Sequence, residues 1–249
     1  MVPEPTAAAV RTAAAEIADP QLAAGQAKFF QARPGGYGEG DEFLGLRVPQ
    51  QRAIARAFRG IGPDAVAELL DSPVHEHRLI ALFLLRGEFE QELRRRGGDA
   101  TDAGVEVWVK LYLDAVRRGR VNNWDLVDSS ADSILGEYCR RLGRLDAVLR
   151  HAQDEDLWRR RVGIIATFAH IRHGDATALL AVAPLVRDDR RDLIQKAFGW
   201  MLREVGKRVD EAVLLGYLGD NAAEMGRTAL SYAIEHRSPE ERAYFRSLR

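Results

Sequence analysis

The stretch Val121-Asn122-Asn123-Trp124-Asp125-Leu126-Val127-Asp128 has the pattern of a helix start in the middle of the chain. The side chains of Asn122 and Asn123 can accept hydrogen bonds from the free N–H groups of a first helical turn. Trp124 and Asp128 are four residues apart, so a helix places them on nearly the same face. The ordinary interpretation is a core tryptophan and an aspartate that offsets the helix dipole. The alternative is an indole and a carboxylate that form part of a site.

Outward from this helix, almost every segment has the apolar periodicity of a helix. The pattern predicts the central helix over Asn123–Tyr138, and further long helices over Val74–Arg96, Asp154–Arg172 and Arg190–Val205. No segment of the sequence has the alternating, β-branched pattern of strands. Paired helices with short turns predict an all-α fold, an α-α superhelix of HEAT-like repeats, formed as a single domain over residues 1–249.

One long stretch, Arg33–Asp41, cannot be helical because Gly and Pro interrupt it throughout. Irregular segments of this length are often functional, and many are only connectors. Both interpretations stay open for the Gly-rich part, Gly35–Gly40.

Composition limits the possible functions of the chain. The formal net charge of the 249 residues is −1, so any nucleic-acid site must come from the placement of charge. Cys139 is the only cysteine, which excludes an internal disulfide or a Cys-rich zinc site and fits a reducing cytosol. The pair His170 and His173 lacks a matching set of carboxylates or cysteines, so we expect neither a metal site nor a cofactor. Without an uncharged run of membrane-spanning length, the sequence predicts a soluble, cytoplasmic protein.

The helix predicted over Arg190–Val205, continuing toward Arg208, has one apolar face and one unusual polar face. At about 100° per residue, its polar side carries an indole among three cations. These residues are Lys196, Trp200, Arg203 and Lys207. One interpretation is a nucleic-acid surface, in which cations meet phosphates and the ring touches a base or sugar. The other is a surface cation–π contact, or a tryptophan covered by a neighbouring helix.

A run of three arginines follows Trp158 and ends at Arg161, just before the apolar run Val162–Phe168. We therefore expect Arg161 at the edge of the core. Arginine near a helix start opposes the helix dipole, which favours an anionic partner, although a solvated helix start is the plainer interpretation.

Taken together, these segments resemble the AlkD-type family of bacterial DNA alkylation repair glycosylases, over about residues 20–235. The elements that carry the resemblance are Phe43-Leu44-Gly45 with Pro49, Asn123-Trp124-Asp125-Leu126-Val127-Asp128, Arg161, and Gln195-Lys196-Ala197-Phe198-Gly199-Trp200-Met201-Leu202-Arg203-Glu204. Either tryptophan element alone is a weak signal, and the two in this order are specific.

The resemblance implies a HEAT-like solenoid whose concave basic face holds duplex DNA. It implies hydrolysis of the N-glycosidic bond of N3- or N7-alkylated purines, without flipping the damaged base into a pocket. Asp128, Trp124 and Trp200 correspond to the catalytic positions, and Arg161 to a backbone contact. A tyrosine that the family places near DNA corresponds to Phe30 or Tyr37, because the Gly-rich loop looks like an insertion before Phe43.

We therefore expect a monofunctional glycosylase of base excision repair, a monomer whose partner is double-stranded DNA carrying alkylated purines. Lys196, Arg203 and Lys207 join Arg161 and Tyr37 as expected DNA contacts, and the protein would associate with the nucleoid. Two alternatives remain: a non-catalytic DNA-binding paralogue that recognises damaged or branched DNA, and a helical scaffold that binds protein.

Overall fold

The computed structural model describes residues 5–248, and every regular element in this range is helical. The all-α prediction is confirmed. An isolated parallel bridge joins Glu42 and Val74. The chain divides after Ser130 into two compact units, which are described separately below. None of the helices from residue 5 to residue 248 combines the length and apolarity needed to cross a membrane.

Within residues 5–130, the first unit contains seven helices. They are α1 Ala7–Ala15, α2 Pro20–Phe29, α3 Val48–Ala57, α4 Pro63–Leu70, α5 His75–Arg95, α6 Ala103–Arg117 and α7 Trp124–Asp128. Helix α5 lies at the centre and packs against α1, α3, α4, α6 and α7. Its middle, from Leu79 to Leu85, is buried on almost every side, as expected for a central helix. The stretch predicted as non-helical, Arg33–Asp41, forms consecutive turns, which confirms that prediction.

The second unit begins with a π-helical turn, and nine further helices follow in the part of it that the structure describes, up to residue 248. The turn is Asp132–Gly136, and the helices are α8 Glu137–Leu142, α9 Asp146–Gln153, α10 Leu157–Ala166, α11 Phe168–Ile171, α12 Thr177–Val186, α13 Asp192–Arg208, α14 Glu211–Asn221, α15 Arg227–Ala233 and α16 Pro239–Ser247. Helix α13 packs against α10, α12, α14 and α15. The approach of α13 to α15 depends on Gly199, where a Cβ atom would lie 2.3 Å from the carbonyl oxygen of Ala229.

The central helix predicted over Asn123–Tyr138 is not continuous, and that prediction is wrong. Helix α7 ends at Asp128, and regular helix resumes only after the π-helical turn. The hydroxyl of buried Ser130 donates to the carbonyl oxygen of Leu126 at 2.6 Å. Such back-bonding by a hydroxyl competes with the backbone ladder and bends helices. The break leaves α7 a short helix that carries both Trp124 and Asp128.

The helix predicted over Asp154–Arg172 is also interrupted, at Thr167. Its hydroxyl donates to the carbonyl oxygen of Ile164 at 2.7 Å, the same type of contact that interrupts the central helix. Phe168 therefore begins a separate short helix, α11, instead of lying in the middle of a long one.

Candidate active site

The residues predicted for the site belong to both units. Tyr37, Trp124 and Asp128 lie in the first unit, and Arg161, Lys196, Trp200, Arg203 and Lys207 lie in the second. Each group is built by its own local packing.

Helix α7 begins with a capped turn. Asn123 is fully buried at the N-cap, and its side-chain oxygen accepts a hydrogen bond from the backbone N–H of Trp124 at 2.8 Å. This confirms the predicted capping role. Trp124 is the first residue of the helix and Asp128 is the last, and both side chains are half-buried. One short, capped helix thus carries an indole and a carboxylate one turn apart.

An aromatic cluster surrounds Trp124. The Trp124 ring stacks on Phe30, with centroids 5.5 Å apart and planes inclined by 24°. Phe30 also stacks on Phe43 at 5.5 Å and on the imidazole of His75 at 4.8 Å. Phe29 meets Trp124 edge-on at 6.0 Å and is 64% exposed. The cluster therefore holds the indole in a fixed orientation and presents a large apolar ring to solvent beside it.

A buried charge network lies next to this cluster. The Nδ1 atom of His75 is 3.0 Å from Oδ2 of Asp41, and its Nε2 atom is 2.8 Å from Oδ2 of Asp125. Arg78 places Nη2 2.5 Å from the other oxygen of Asp41 and donates from Nη1 to the side-chain oxygen of Asn122 at 3.0 Å. The network ties the end of the Gly-rich loop, the start of α5 and the start of α7 together.

The network keeps His75 charged. Burial alone would lower the pKa of His75, but hydrogen bonds to Asp125 and Asp41 raise it to about 9. Burial works in the opposite sense on Asp41, yet its hydrogen bond to His75 and the charge of Arg78 hold the pKa of this carboxyl below its usual value. At neutral pH two cations therefore balance two carboxylates inside the unit, which limits the cost of burying them.

The Gly-rich loop folds back onto the end of α2. At Gly38 a Cβ atom would lie 2.3 Å from the carbonyl oxygen of Phe30, so only glycine fits there. Tyr37 is half-buried, and its hydroxyl donates to the carbonyl oxygen of Phe29 at 3.3 Å. Of the two aromatic residues considered for the tyrosine position of the family, Phe30 is the one that stacks on Trp124.

The segment Phe43-Leu44-Gly45 is held by a buried carboxylate. Glu76 accepts hydrogen bonds from the backbone N–H groups of Leu44, Gly45 and Leu46 at 2.8–3.2 Å. Gly45 has a φ of +84°, and a Cβ atom there would lie 2.0 Å from the carbonyl oxygen of Asp19. This anchoring fixes Phe43 against His75.

In the second unit, Trp200 is half-buried on α13. Its indole donates a hydrogen bond to the carboxylate of Glu204, one turn further on, and Nε of Arg208 lies 2.5 Å from the same carboxylate. Burial would raise the pKa of Glu204, but these partners lower it below its usual value. The Trp200 ring also lies 6.0 Å from Phe168. The indole is therefore held at both its polar edge and its face.

Two guanidinium groups flank Phe168. Arg172 lies 5.4 Å and Arg208 5.3 Å from the centroid of the ring, within cation–π distance. Both arginines are exposed, and Arg172 also pairs with Asp132 of the π-helical turn at 2.9 Å. Since Arg172 pairs with Asp132 and Arg208 with Glu204, the ring is flanked by two ion pairs that hold it in place beside Trp200.

The predicted cations differ in their surroundings. Nζ of Lys196 lies 2.7 Å from Asp192, and the guanidinium of Arg203 pairs with Glu235. Lys207 is exposed. Two of the three cations predicted beside Trp200 therefore have carboxylate partners within their own unit.

Arg161 is more buried than the sequence predicted. The residue is 5% exposed, and its Nη1 atom donates to the backbone carbonyl oxygen of Leu193 in the first turn of α13. The expectation that it emerges at the edge of the core is corrected accordingly. Its contact connects α10 to the helix that carries Trp200.

Sequence reasoning missed the neighbours that orient the two indoles. In the first unit these are Phe29, Asp41, His75 and Arg78, and in the second Phe168, Arg172, Glu204 and Arg208. Part of the second set was visible, because Trp200, Glu204 and Arg208 recur every four residues and so share a helix face. The adjacent pair Phe29-Phe30, just before the Gly-rich stretch, was the only local signal for the first set.

Comparison with known proteins agrees with the helical fold. The sequence matches the DNA alkylation repair enzyme family over residues 10–236. The structure is similar to a solved structure described as a predicted DNA alkylation repair enzyme from Enterococcus faecalis, with a TM-score of 0.67 and 16% identity, covering 89% of this chain and 97% of that chain. A search of curated proteins gave no match. The family match spans most of both units, and the chain belongs to the DNA alkylation repair enzyme family.

Proposed function

We propose that the protein is a monofunctional DNA glycosylase that hydrolyses the N-glycosidic bond of cationic N3- or N7-alkylated purines in duplex DNA, without flipping the base. The observation that carries the proposal is the position of Trp124 and Asp128 one turn apart on α7, beside the exposed ring of Phe29. The chain that carries them is a member of a DNA alkylation repair family.

The proposed reaction needs little catalytic assistance at the departing purine. A purine alkylated at N3 or N7 is already cationic and is a good leaving group, so positive charge develops mainly on the sugar as the bond breaks. A carboxylate near the sugar stabilises this oxocarbenium-like state and can orient the attacking water. We assign both roles to Asp128.

The two tryptophans would act as positioning surfaces for the damaged nucleotide. Indole faces attract a neighbouring cation and pack well against a sugar. Trp124 is fixed by Phe30, and Trp200 is fixed by Glu204, so each ring is held in place before DNA binds. We propose that both rings contact the deoxyribose and backbone of the lesion.

We propose simple hydrolysis, and not a lyase mechanism in which a lysine amine attacks the sugar. A Schiff-base lyase mechanism requires an uncharged amine as the nucleophile. The lysine nearest to Trp200 in the sequence is Lys196, and its ammonium forms an ion pair with Asp192 of the same helix at 2.7 Å.

The test is release of 7-methylguanine and 3-methyladenine from alkylated duplex DNA. Asp128→Asn should slow base release roughly 100-fold or more, as expected when charge stabilisation is removed, while DNA binding is retained. Asp114→Asn, at a partly exposed aspartate of α6, is the matched control and should behave as the parent. Equal activity in the parent and Asp128→Asn would remove Asp128 from the mechanism. DNA binding without base release by the parent would favour the non-catalytic alternative.

A further inference from the structure

The Gly-rich loop, Gly35–Gly40, leads from the surface to a buried carboxylate. Half of its residues are exposed, whereas the side chain of Asp41, which follows it, is only 3% exposed. The next residue continues the anchoring, because the carbonyl oxygen of Glu42 accepts the backbone N–H of His75 at 2.8 Å. A connector between two helices requires no buried charge at its end, so the role of this carboxylate needs a separate explanation.

Asp41 joins the loop to the start of α7. One oxygen of its carboxylate lies 3.0 Å from Nδ1 of His75, and the other lies 2.5 Å from Nη2 of Arg78. These two cations in turn contact the start of α7, His75 through Asp125 and Arg78 through Asn122. The loop therefore reaches α7 by two parallel connections, each with one cation in between, and all of these residues belong to the first unit.

The same loop also holds the aromatic side of the site. A Cβ atom at Gly38 would lie 2.3 Å from the carbonyl oxygen of Phe30, and the hydroxyl of Tyr37 donates to the carbonyl oxygen of Phe29. Phe30 stacks on Trp124. The loop thus contacts both the rings beside Trp124 and the charged groups that hold its helix.

Helix α7 depends on such contacts for its orientation. It consists of the five residues Trp124–Asp128, little more than one turn, and so short a helix is not stable by itself. Leu126 and Val127 are buried, but apolar burial is non-directional and permits small rotations of a short helix. The hydrogen bond between Asp125 and His75 has a preferred direction, so it restricts the rotation of α7 about its axis.

We propose that Asp41, at the end of the Gly-rich loop, and His75 are positioning residues for base release. They set the orientation of α7, and with it the places of Trp124 and Asp128. The inference rests on the proposed function, because it takes Asp128 as the carboxylate that stabilises the sugar. In this arrangement Asp41 and His75 act through α7 and need no contact with the damaged nucleotide.

Stability alone does not account for the buried charges. Replacing a buried ion-pair network by well-packed apolar side chains often leaves a protein equally stable or more stable. Charged hydrogen bonds supply a fixed length and direction instead. A reacting carboxylate such as Asp128 needs this precision, since a displacement of about 1 Å can slow a reaction by about 100-fold.

The charge of His75 gives the arrangement a dependence on pH. The charged groups that act on its imidazole are Asp125 from α7, Asp41 from the loop and Arg78 from α5, and the rings stacked on it are uncharged. Burial lowers the pKa of His75, but hydrogen bonds to the two carboxylates raise it to about 9. Without the charge of Asp41, His75 should lose its proton at a lower pH.

The experiment measures single-turnover release of 7-methylguanine from duplex DNA at saturating enzyme, between pH 6 and pH 8.5. Asp41→Asn should slow release by roughly 10- to 100-fold at pH 8.5 and approach the parent rate at pH 6, where His75 is charged again. Asp41→Asn/His75→Phe removes one charge of each sign and keeps a ring against Phe30, and it should be slow throughout this range. DNA affinity should change far less, because it comes largely from phosphate contacts.

His77→Gln is the matched control. His77 is also a buried histidine in the first turn of α5, but its Nδ1 atom lies 2.9 Å from the hydroxyl of Ser72 instead of a carboxylate. This variant should release base at the parent rate.

A second readout is independent of activity. In protein labelled with 5-fluorotryptophan and free of DNA, the fluorine resonance of Trp124, assigned with Trp124→Phe, should shift in both Asp41 variants. The resonance of Trp200 in the second unit should stay in place.

Parent-like release in both Asp41 variants, or an unmoved Trp124 resonance, would overturn the proposal. An equal loss of rate in His77→Gln would also overturn it, because the effect would then be a general loosening of α5. Asp41→Asn keeps the size of the side chain, so its pH profile decides the question even if the double variant does not fold. A parent that releases no base while the Trp124 resonance shifts would contradict the proposed function and leave the positioning of α7 by Asp41 standing.

Discussion

The Nε2 atom of His75 lies 2.8 Å from Oδ2 of Asp125, the residue that follows Trp124 in α7. The same imidazole stacks on Phe30, which in turn stacks on Trp124. His75 therefore contacts helix α7 through the side chain of Asp125, and it contacts Phe30, the ring on which the Trp124 indole stacks. Because the network is buried, its charge state should be visible in the stability of the protein.

The first prediction concerns stability against pH. A pKa that rises from 6.5 to about 9 on folding corresponds to about 3 kcal/mol. This contribution is complete below pH 6.5, where the unfolded histidine is also protonated, and is lost as the pH rises to about 9. Urea unfolding from pH 6 to pH 9 should show this fall, and His75→Gln should flatten it.

The control for this prediction is His236→Gln, which changes an exposed histidine and should keep the slope of the parent. Burial raises the pKa of the Cys139 thiol to about 11, so its effect begins only near its ordinary value of 9, at the upper limit of this range. A parent whose stability is constant from pH 6.5 to pH 9 would show that His75 is not held as a cation.

The second prediction concerns the exposed ring of Phe29. We expect Phe29→Ala to weaken binding to lesion-containing duplex by roughly 2- to 30-fold, since an aromatic ring beside a cationic group such as the alkylated base contributes about 0.5–2 kcal/mol. Stability should change by less than about 0.5 kcal/mol because the side chain is 64% exposed. Binding is measured by fluorescence anisotropy and stability by urea unfolding.

Two variants test whether the ring itself is responsible. Phe29→Leu keeps an apolar side chain without a π face and should bind as weakly as Phe29→Ala. Tyr244→Ala removes an aromatic ring that is 58% exposed in the second unit and should bind as the parent. Parent-like affinity in Phe29→Ala would show that DNA does not reach this ring.

These contacts show what the sequence alone could predict. The helical class, the cap at Asn123 and the place of Trp200 outside the buried apolar face of α13 follow from patterns within a few residues. The charge network does not, because His75 is separated by 34 residues from Asp41 and by 50 from Asp125. Periodicity describes one helix at a time, so it cannot bring together a loop and the starts of two helices.

The interruptions of the helices escaped prediction for a different reason. Ser130 and Thr167 are compatible with a helix by propensity, and their effect comes from hydroxyls that bond to carbonyl oxygens within the same helix. Arg161 was placed at the edge of the core because arginine is rarely buried. Its burial is explained by the backbone carbonyl of Leu193, which no local pattern reveals.

The third prediction concerns Gly199, which precedes Trp200. A Cβ atom at this position would lie 2.3 Å from the carbonyl oxygen of Ala229 and 2.7 Å from Cβ of Tyr232. Gly199→Ala should therefore push α13 from α15 and cost about 1–3 kcal/mol in the free energy of unfolding. Gly216→Ala, in the open part of α14, should instead stabilise by about 0.5–1 kcal/mol, because alanine is the better helix former. Similar effects of the two substitutions in urea unfolding would contradict the close approach of α13 and α15.

The fourth prediction separates two roles of Arg161. Removing its guanidinium leaves the carbonyl oxygen of Leu193 without this donor, so Arg161→Ala should cost about 1–3 kcal/mol in the free energy of unfolding. If Arg161 also contacts a phosphate, the same variant should reduce the slope of log DNA affinity against log salt concentration by about 0.9.

The two readouts are independent, because stability is measured without DNA and the salt slope is measured on folded protein. Arg190→Ala removes one exposed arginine before α13 and should change stability by less than about 0.5 kcal/mol. A loss of stability in Arg161→Ala with the parent salt slope would limit this residue to joining α10 to α13, and a flatter slope would support its predicted contact with DNA. Unchanged stability would contradict the buried hydrogen bond itself.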